Sequence, residues 1–243
     1  MTVPSLEEIV AQCHERVDFQ NELLRILRMH NTRDKYWQDI YTYARNDEVF
    51  ETVVLINWIG SHRRPKRVLE IGTRTGGSLV ALLSAYPDEE VAKTEIYCFD
   101  IWKEFIRVCR FRGIVRHFPE FVKRDLAIGV VKNNLKLLGI SPDTIKFFSG
   151  DSKTTVPQFI ASDPRKFDYV LVDGSHHRDD ARADLDNVVH AVAPNGILVF
   201  DDIGPEGYKL IDVWREFENK YRDLFHFYVK EHRKGVAWAI RKA

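Results

Sequence analysis

The sequence predicts an α/β protein: a doubly wound sheet of seven strands, one of them antiparallel, with an N-terminal helical extension. Three observations carry that expectation. From residue 67 onward, short apolar runs rich in β-branched residues alternate with stretches of helical periodicity. Two of the runs, Tyr169-Val-Leu-Val-Asp173 and Ile197-Leu-Val-Phe-Asp-Asp202, are continuously hydrophobic, as parallel strands covered on both faces are. Two closing strands joined by the polar link Lys230-Glu-His-Arg-Lys234 read as a hairpin, which places one antiparallel strand in the sheet.

The elements follow in order. Between Ser5 and His30, Leu6, Ile9, Val10, Val17, Leu23, Leu24, Ile26 and Leu27 recur near helical spacing, with Ser5 as N-cap and Glu7 and Glu8 in the first turn. A second helix is expected from about Glu48 to Ser61. Residues 1–62 thus form the extension, which could cover a site, mediate homo-oligomer formation or complete the core, and 63–243 form the main domain. The expected strands are Arg67–Ile71, Glu95–Phe99, Thr144–Phe148, Phe167–Val172, Gly196–Phe200, Leu224–Val229 and Gly235–Ile240. Helices are expected to begin near Gly77, Lys123, Lys153 and Arg178, and a last one spans Lys209–Lys220. Strand-helix-strand repetition implies right-handed crossovers. Ile101–Arg124 is long for a connection and mixes Trp102, Phe105, Phe111, Phe118 and Phe121 with Arg107, Arg110, Arg112 and Arg116. It reads either as an aromatic and basic wall over the sheet or as an amphipathic helix.

Composition narrows the function classes. The 36 basic and 36 acidic residues balance, so no global field draws the chain to nucleic acid or an anionic membrane. No apolar stretch approaches the ~20 residues of a membrane span. The start, Met1-Thr-Val-Pro-Ser-Leu-Glu-Glu8, lacks the basic and apolar regions of a signal peptide. Cys13, Cys98 and Cys109 show no zinc-type spacing and read as reduced thiols, so a cytoplasmic protein is expected.

The strand ends carry the chemistry. In a parallel sheet the carboxyl ends face the ligand crevice. Asp173, Asp201 and Asp202 would gather there, and three unpaired carboxylates in one cleft raise each other's pKa values. A hard divalent cation such as Mg²⁺ would remove the conflict. Asp201 and Asp202 read alternatively as a turn and an N-cap. Val68-Leu-Glu-Ile-Gly-Thr-Arg-Thr-Gly-Gly-Ser78 is a strand, a glycine turn and a helix start, in which Gly72 and Gly76 permit a sharp turn close to a ligand. Arg74 occupies the place of the second glycine in the dinucleotide pattern, and Glu70 suits a cationic amino-acid group better than a pyrophosphate. Asp100, ending the second strand, can accept ribose hydroxyls, and Asp151 can accept an adenine amine proton. Either acid taken alone reads more simply as a solvated loop residue or a helix cap.

On these residues the chain resembles the class I S-adenosylmethionine-dependent methyltransferases, over roughly 48–243. The resemblance implies a Rossmann-like fold and a cofactor site of Glu70, Gly72, Thr73, Gly76, Ser78, Asp100, Asp151, Ser152 and Asp173. Asp173-Gly-Ser-His-His177, followed by Phe200-Asp-Asp202, looks like the metal-dependent branch containing macrolide-sugar O-methyltransferases and cephalosporin-hydroxylase-like proteins. It implies Mg²⁺ on Asp173, Asp201 and Asp202, with His176 as general base beside Asp173. The acceptor would be a hydroxylated small molecule. His176 and His177 read alternatively as helix caps or surface residues. Asp179, Asp180, Asp184 and Asp186, alternating with Arg178 and Arg182, read as a solvated helix face. Competing functions are metal-independent methyl transfer, aminopropyl transfer and non-catalytic nucleoside binding; nicotinamide-dependent oxidation fits the glycine turn least.

Overall fold

The computed structural model describes residues 51–74, 76–102, 105–111, 114–120, 144–231 and 234–243, with the short stretches 128–129, 131–132, 135–136 and 140–141. The helix expected over Ser5–His30, and the lid and dimerisation roles attached to it, lie outside them. Helix α1 (Glu51–Arg63) leads into β1 (Arg67–Ile71), α2 (Gly77–Leu83), the short α3 (Asp88–Val91) and β2 (Glu95–Asp100). Next come β3 (Phe105–Phe111), β4 (Ile114–Glu120), β5 (Ile145–Ser149), α4 (Ser152–Ser162) and β6 (Phe167–Val172). The chain closes with α5 (Arg178–Val188), β7 (Val192–Asp201), α6 (Ile211–Tyr221), β8 (Phe225–Lys230) and β9 (Val236–Arg241).

Seven strands form one sheet in the order β5-β2-β1-β6-β7-β9-β8. β9 runs antiparallel to both β7 and β8, while the other pairings are parallel. The order reverses between β1 and β6, so the switch point falls beside the glycine turn, where α/β sheets bind ligands.

Strand alternation sorts the apolar residues into two layers. Val68, Ile96, Cys98, Tyr169, Leu171, Ile197, Val199 and Trp238 pack with Leu55, Ile56 and Ile59 of α1 and Leu79, Val80 and Leu82 of α2. Leu69, Ile71, Tyr97, Phe99, Val170, Val172, Leu198 and Phe200 pack with Val156 of α4, Leu185 and Val188 of α5, and Val213, Trp214 and Phe217 of α6. Each fully buried large apolar side chain contributes about 1.5–3 kcal/mol. Residues 51–62, assigned from sequence to the extension, are a layer of this core. Gly60 makes the fit possible, since a Cβ there would stand 2.1 Å from the Leu82 carbonyl oxygen.

Three expectations change. The helical reading of Ile101–Arg124 is overturned over 105–120, where β3 and β4 pair antiparallel in a separate two-stranded sheet. The dense β-branched and aromatic content of that stretch accounts for it. Trp102, read from sequence as part of an acceptor wall or of a packed helix, is 5% exposed and packs edge-on against Phe147. β7 begins at Val192 rather than Gly196, because Pro194-Asn-Gly196 forms an irregularity between the Phe167–Val192 and Tyr169–Ile197 pairings. The helix expected near Lys123 starts outside the described residues; Val131 and Leu135 of that region are buried.

Candidate active site

Alternation also decides where the acids point. Glu70, Asp100, Asp173 and Asp201 each follow, two residues on, a strand position facing the α1–α2 layer, so they share that face at the carboxyl edge of the sheet.

At the β1 end, Gly72 has φ +88, and its N–H donates to the Phe99 carbonyl at 2.8 Å. A Cβ on Gly72 would stand 1.8 Å from the Asp173 carbonyl oxygen, so glycine is required by contact with β6. Gly76 (φ +80) caps α2, and its N–H donates to the Thr73 carbonyl at 2.7 Å. Glu70 lies beneath this turn, fully buried, accepting from the Ser78 hydroxyl with its Oε2 unpartnered. Burial pushes its pKa up to about 7, against the bond from Ser78, and Asp173 and Asp100 raise it further. Thr73, also buried, opposes the rise alongside Ser78.

Asp100 is held by backbone donors: Arg74 N–H at 2.8 Å and Trp102 N–H at 2.7 Å. Both donor residues have positive φ, so the carboxylate gathers two strained turns around itself. Asp151 caps α4, accepting from Lys153 N–H at 2.9 Å, and Lys153 Nζ lies 3.4 Å from its other oxygen. Ser152 opens the same helix.

The acceptor end is built from the turns after β6 and β7. His176 Nε2 lies 3.1 Å from Asp202 Oδ2 and 3.9 Å from Asp173 Oδ1. Its ring stacks on Tyr208, centroids 3.5 Å apart and planes 2° apart. Among the described residues, Asp173, His176 and Asp202 are the group able to hold a metal ion, each offering one ligand atom, all within 4.8 Å of one another. Asp202 Oδ1 is buried, and Lys234 Nζ pairs with it at 3.5 Å.

Asp201 departs from the expected trio. As the last strand residue it faces α1, where its Oδ1 accepts from the Thr52 hydroxyl at 2.5 Å and from Asp202 N–H at 2.8 Å. Asp202 reaches the His176 side because its own backbone turns left-handed, at φ 59. His177 is the N-cap residue of α5, with no side-chain capping bond.

Charge within the cluster is shared unequally. Burial raises the Asp173 pKa, Asp202 adds to the rise, and His176 opposes it. Burial also drives Asp201 well above the carboxylate range, reinforced by Asp173 and Asp202. Asp202 is lowered, because His176 and Lys234 outweigh its burial. Burial disfavours the imidazolium of His176, but bonds and charge from Asp173 and Asp202 prevail and push its pKa up to about 9.

A family profile described as a methyltransferase domain matches residues 69–203, more than half of the chain and all the strand ends above except the β8–β9 turn. The chain belongs to this family. It is a class I S-adenosylmethionine-dependent methyltransferase. The fold is shared with the Podospora anserina methyltransferase PaMTH1, solved with S-adenosylhomocysteine: TM-score 0.60, 16% identity, 100% of this chain and 99% of that one covered. Similar too is the O-methyltransferase TomG from Streptomyces achromogenes, involved in tomaymycin synthesis and solved with S-adenosylmethionine: TM-score 0.55, 15% identity, 87% and 92% covered. The calicheamicin methyltransferase CalS11 matches at TM-score 0.58 and 15% identity, covering 92% and 93%. No curated protein matches the sequence. No helix among the described residues is long and apolar enough to cross a membrane.

Four residues of the methyltransferase site carried little sequence signal. Thr52, Tyr208 and Lys234 lie on elements far apart in the chain from the acids they touch. Asp184 was expected on a solvated face, yet it is fully buried, with Oδ2 against Gly174. Its spacing from Ala181, Leu185 and Val188, all buried, was the available signal.

Proposed function

We propose that this protein is an O-methyltransferase, assisted by Mg²⁺, that moves the methyl group of S-adenosylmethionine to a hydroxyl of a small molecule in the cytoplasm. The acceptor class is a sugar, a glycosylated natural product or a phenol. One observation carries the reading: Gly72 of the cofactor turn packs directly on the backbone of Asp173, the first acid of the Asp173–His176–Asp202 cluster. A nucleoside bound along Gly72, Thr73, Gly76 and Ser78, with Asp100 on its ribose and Asp151 and Ser152 on its base, would end beside that cluster. The natural-product part of the proposal draws support from the tomaymycin and calicheamicin enzymes of the same fold.

The donor set fits a divalent cation: the carboxylates of Asp173 and Asp202 offer ligand atoms within 4.8 Å of each other, and the Asp202 side chain is only 6% exposed. Mg²⁺ prefers oxygen ligands. Asp173 and Asp202 would hold it, Asp201 would support Asp202 from the α1 side, and the imidazole would be left for the proton. When bound, such an ion supplies positive charge that lowers the pKa of the acceptor hydroxyl.

The acceptor oxygen attacks the methyl carbon as the C–S bond breaks, its proton passes to His176 Nε2, and the products are a methyl ether and S-adenosylhomocysteine. His176 must start neutral for this. The carboxylate charge that keeps it protonated is the charge a divalent ion would take up. The test is calorimetry with S-adenosylmethionine, followed by radiolabelled methyl transfer with Mg²⁺ or with chelator. Absence of cofactor uptake ends the reading; uptake with chelator-resistant transfer ends its metal part. That second outcome has support of its own, since His176 and Lys234 already balance Asp173 and Asp202.

A further inference from the structure

Lys234 closes the polar link between β8 and β9, which sequence patterning marks only as a turn. The turn is clamped onto the segment after Asp202. Gly204 N–H donates to the Lys234 carbonyl at 2.5 Å, and a Cβ on Gly235 (φ +69) would stand 2.6 Å from Gly204 N. From this anchor, the ammonium reaches to 3.5 Å from Asp202 Oδ1, while His176 Nε2 stands 3.1 Å from Oδ2. Asp202, whose side chain is 6% exposed, therefore meets one cation at each oxygen. Asp201 and Asp173 also lie in the field of Lys234.

We propose that Lys234 is the built-in counter-ion of this acid cluster, neutralising Asp202 in the metal-free protein and giving way to a divalent cation when one binds. The inference rests on the metal reading above. Three features support exchange rather than a permanent pair. The lysine side chain is 44% exposed, so a path to solvent is open to it. Its flexible four-carbon stem allows that movement while the backbone stays clamped. The carboxylate it faces belongs to a group whose ligand atoms all lie within 4.8 Å of one another. A bound divalent ion and the ammonium repel each other at this range, so Lys234 weakens ion binding and keeps the cluster intact without it.

The experiment compares wild type with Lys234→Met and Lys234→Arg, measuring Mn²⁺ affinity by electron paramagnetic resonance after circular dichroism has verified folding. Lys234→Met is expected to bind Mn²⁺ about three- to tenfold more tightly, the range appropriate to a half-exposed charge, and Lys234→Arg to stay near wild type. In metal-free protein, Lys234→Met should lower Tm in the wild-type background and have a smaller effect in Asp202→Asn. Unchanged or weaker Mn²⁺ binding by Lys234→Met, with wild type binding normally, overturns the exchange. Equal Tm losses in the two backgrounds overturn the counter-ion. Failure of both wild type and Lys234→Met to bind millimolar Mn²⁺ overturns the exchange together with the metal reading, while cofactor calorimetry still decides methyl transfer separately.

Discussion

His176 presents Nε2 to Asp202 Oδ2 at 3.1 Å while its opposite constraint is a ring face, the stacked phenol of Tyr208. Tyr208 is itself tied to the same aspartate, since its backbone N–H donates to the Asp202 carbonyl at 3.2 Å. The three residues form a closed circuit that fixes the plane of the imidazole. A Tyr ring 57% exposed contributes little to the core, so its value lies in this contact. His176→Gln is expected to lower kcat by about 10²–10⁴-fold, as loss of a general base does, with S-adenosylmethionine affinity kept. Tyr208→Ala should cost about two- to fivefold in kcat, the scale of a stacked aromatic pair, and Tyr208→Phe should restore it. Steady-state kinetics with both variants checks the order; equal losses in Tyr208→Phe and Tyr208→Ala would remove the ring face from the argument.

Glu70 predicts how cofactor affinity depends on pH. Its carboxyl is fully buried beneath the glycine turn, and burial holds its pKa near 7. A ligand bearing a sulfonium and an ammonium favours the ionised form, so binding lowers that pKa and releases a proton. Affinity should therefore rise with pH up to about 7 and level off above it. Glu70→Gln should flatten the profile and weaken binding about tenfold at pH 8. Calorimetry in two buffers of different ionisation enthalpy reads the proton directly.

Gly72→Ala tests the joint between the two ends of the site. The new Cβ would meet the Asp173 carbonyl at 1.8 Å in a backbone conformation that already disfavours side chains. We expect a loss of about 2–4 kcal/mol in stability and, in whatever fraction stays folded, weaker binding of cofactor and Mn²⁺ together. Loss of one without the other would mean that the turn and the acid cluster are independent.

Much of this was legible because strands are local objects. Apolar runs located all seven strands of the main sheet, and at or just beyond their carboxyl ends stand Glu70, Asp100, Asp173, Asp201 and Asp202, the acids proposed from sequence for the site. What failed was whatever depends on direction or distance. Asp201 and Asp202 are neighbours in sequence, yet the pleat and a left-handed turn send them to different partners. Tyr208 and Lys234 reach Asp202 through turns whose geometry no periodicity encodes. The 105–120 stretch mixed helical and strand signals, and its strand propensity prevailed once paired as a hairpin.

Asp184 supplies a prediction about stability. It sits on α5 between buried Ala181, Leu185 and Val188, with its own side chain fully buried. Burial pushes its pKa up to about 6 against a bond from the Ser152 hydroxyl, with Asp151 and Asp180 adding to the rise. The neutral acid is therefore the form the fold prefers. Its contribution is fully present below the ordinary carboxylate pKa, falls as pH rises through about 6, and is absent above that. Asp184→Asn keeps the shape and removes the charge. It should leave stability near wild type at pH 4 and raise it by about 1–3 kcal/mol at pH 7.5. Urea unfolding of both proteins at the two pH values isolates the effect, because every other titrating group cancels in the difference. A variant equally stable at both would mean that Asp184 is ionised and solvated in solution; a variant destabilised at pH 7.5 would mean that its charge is paired.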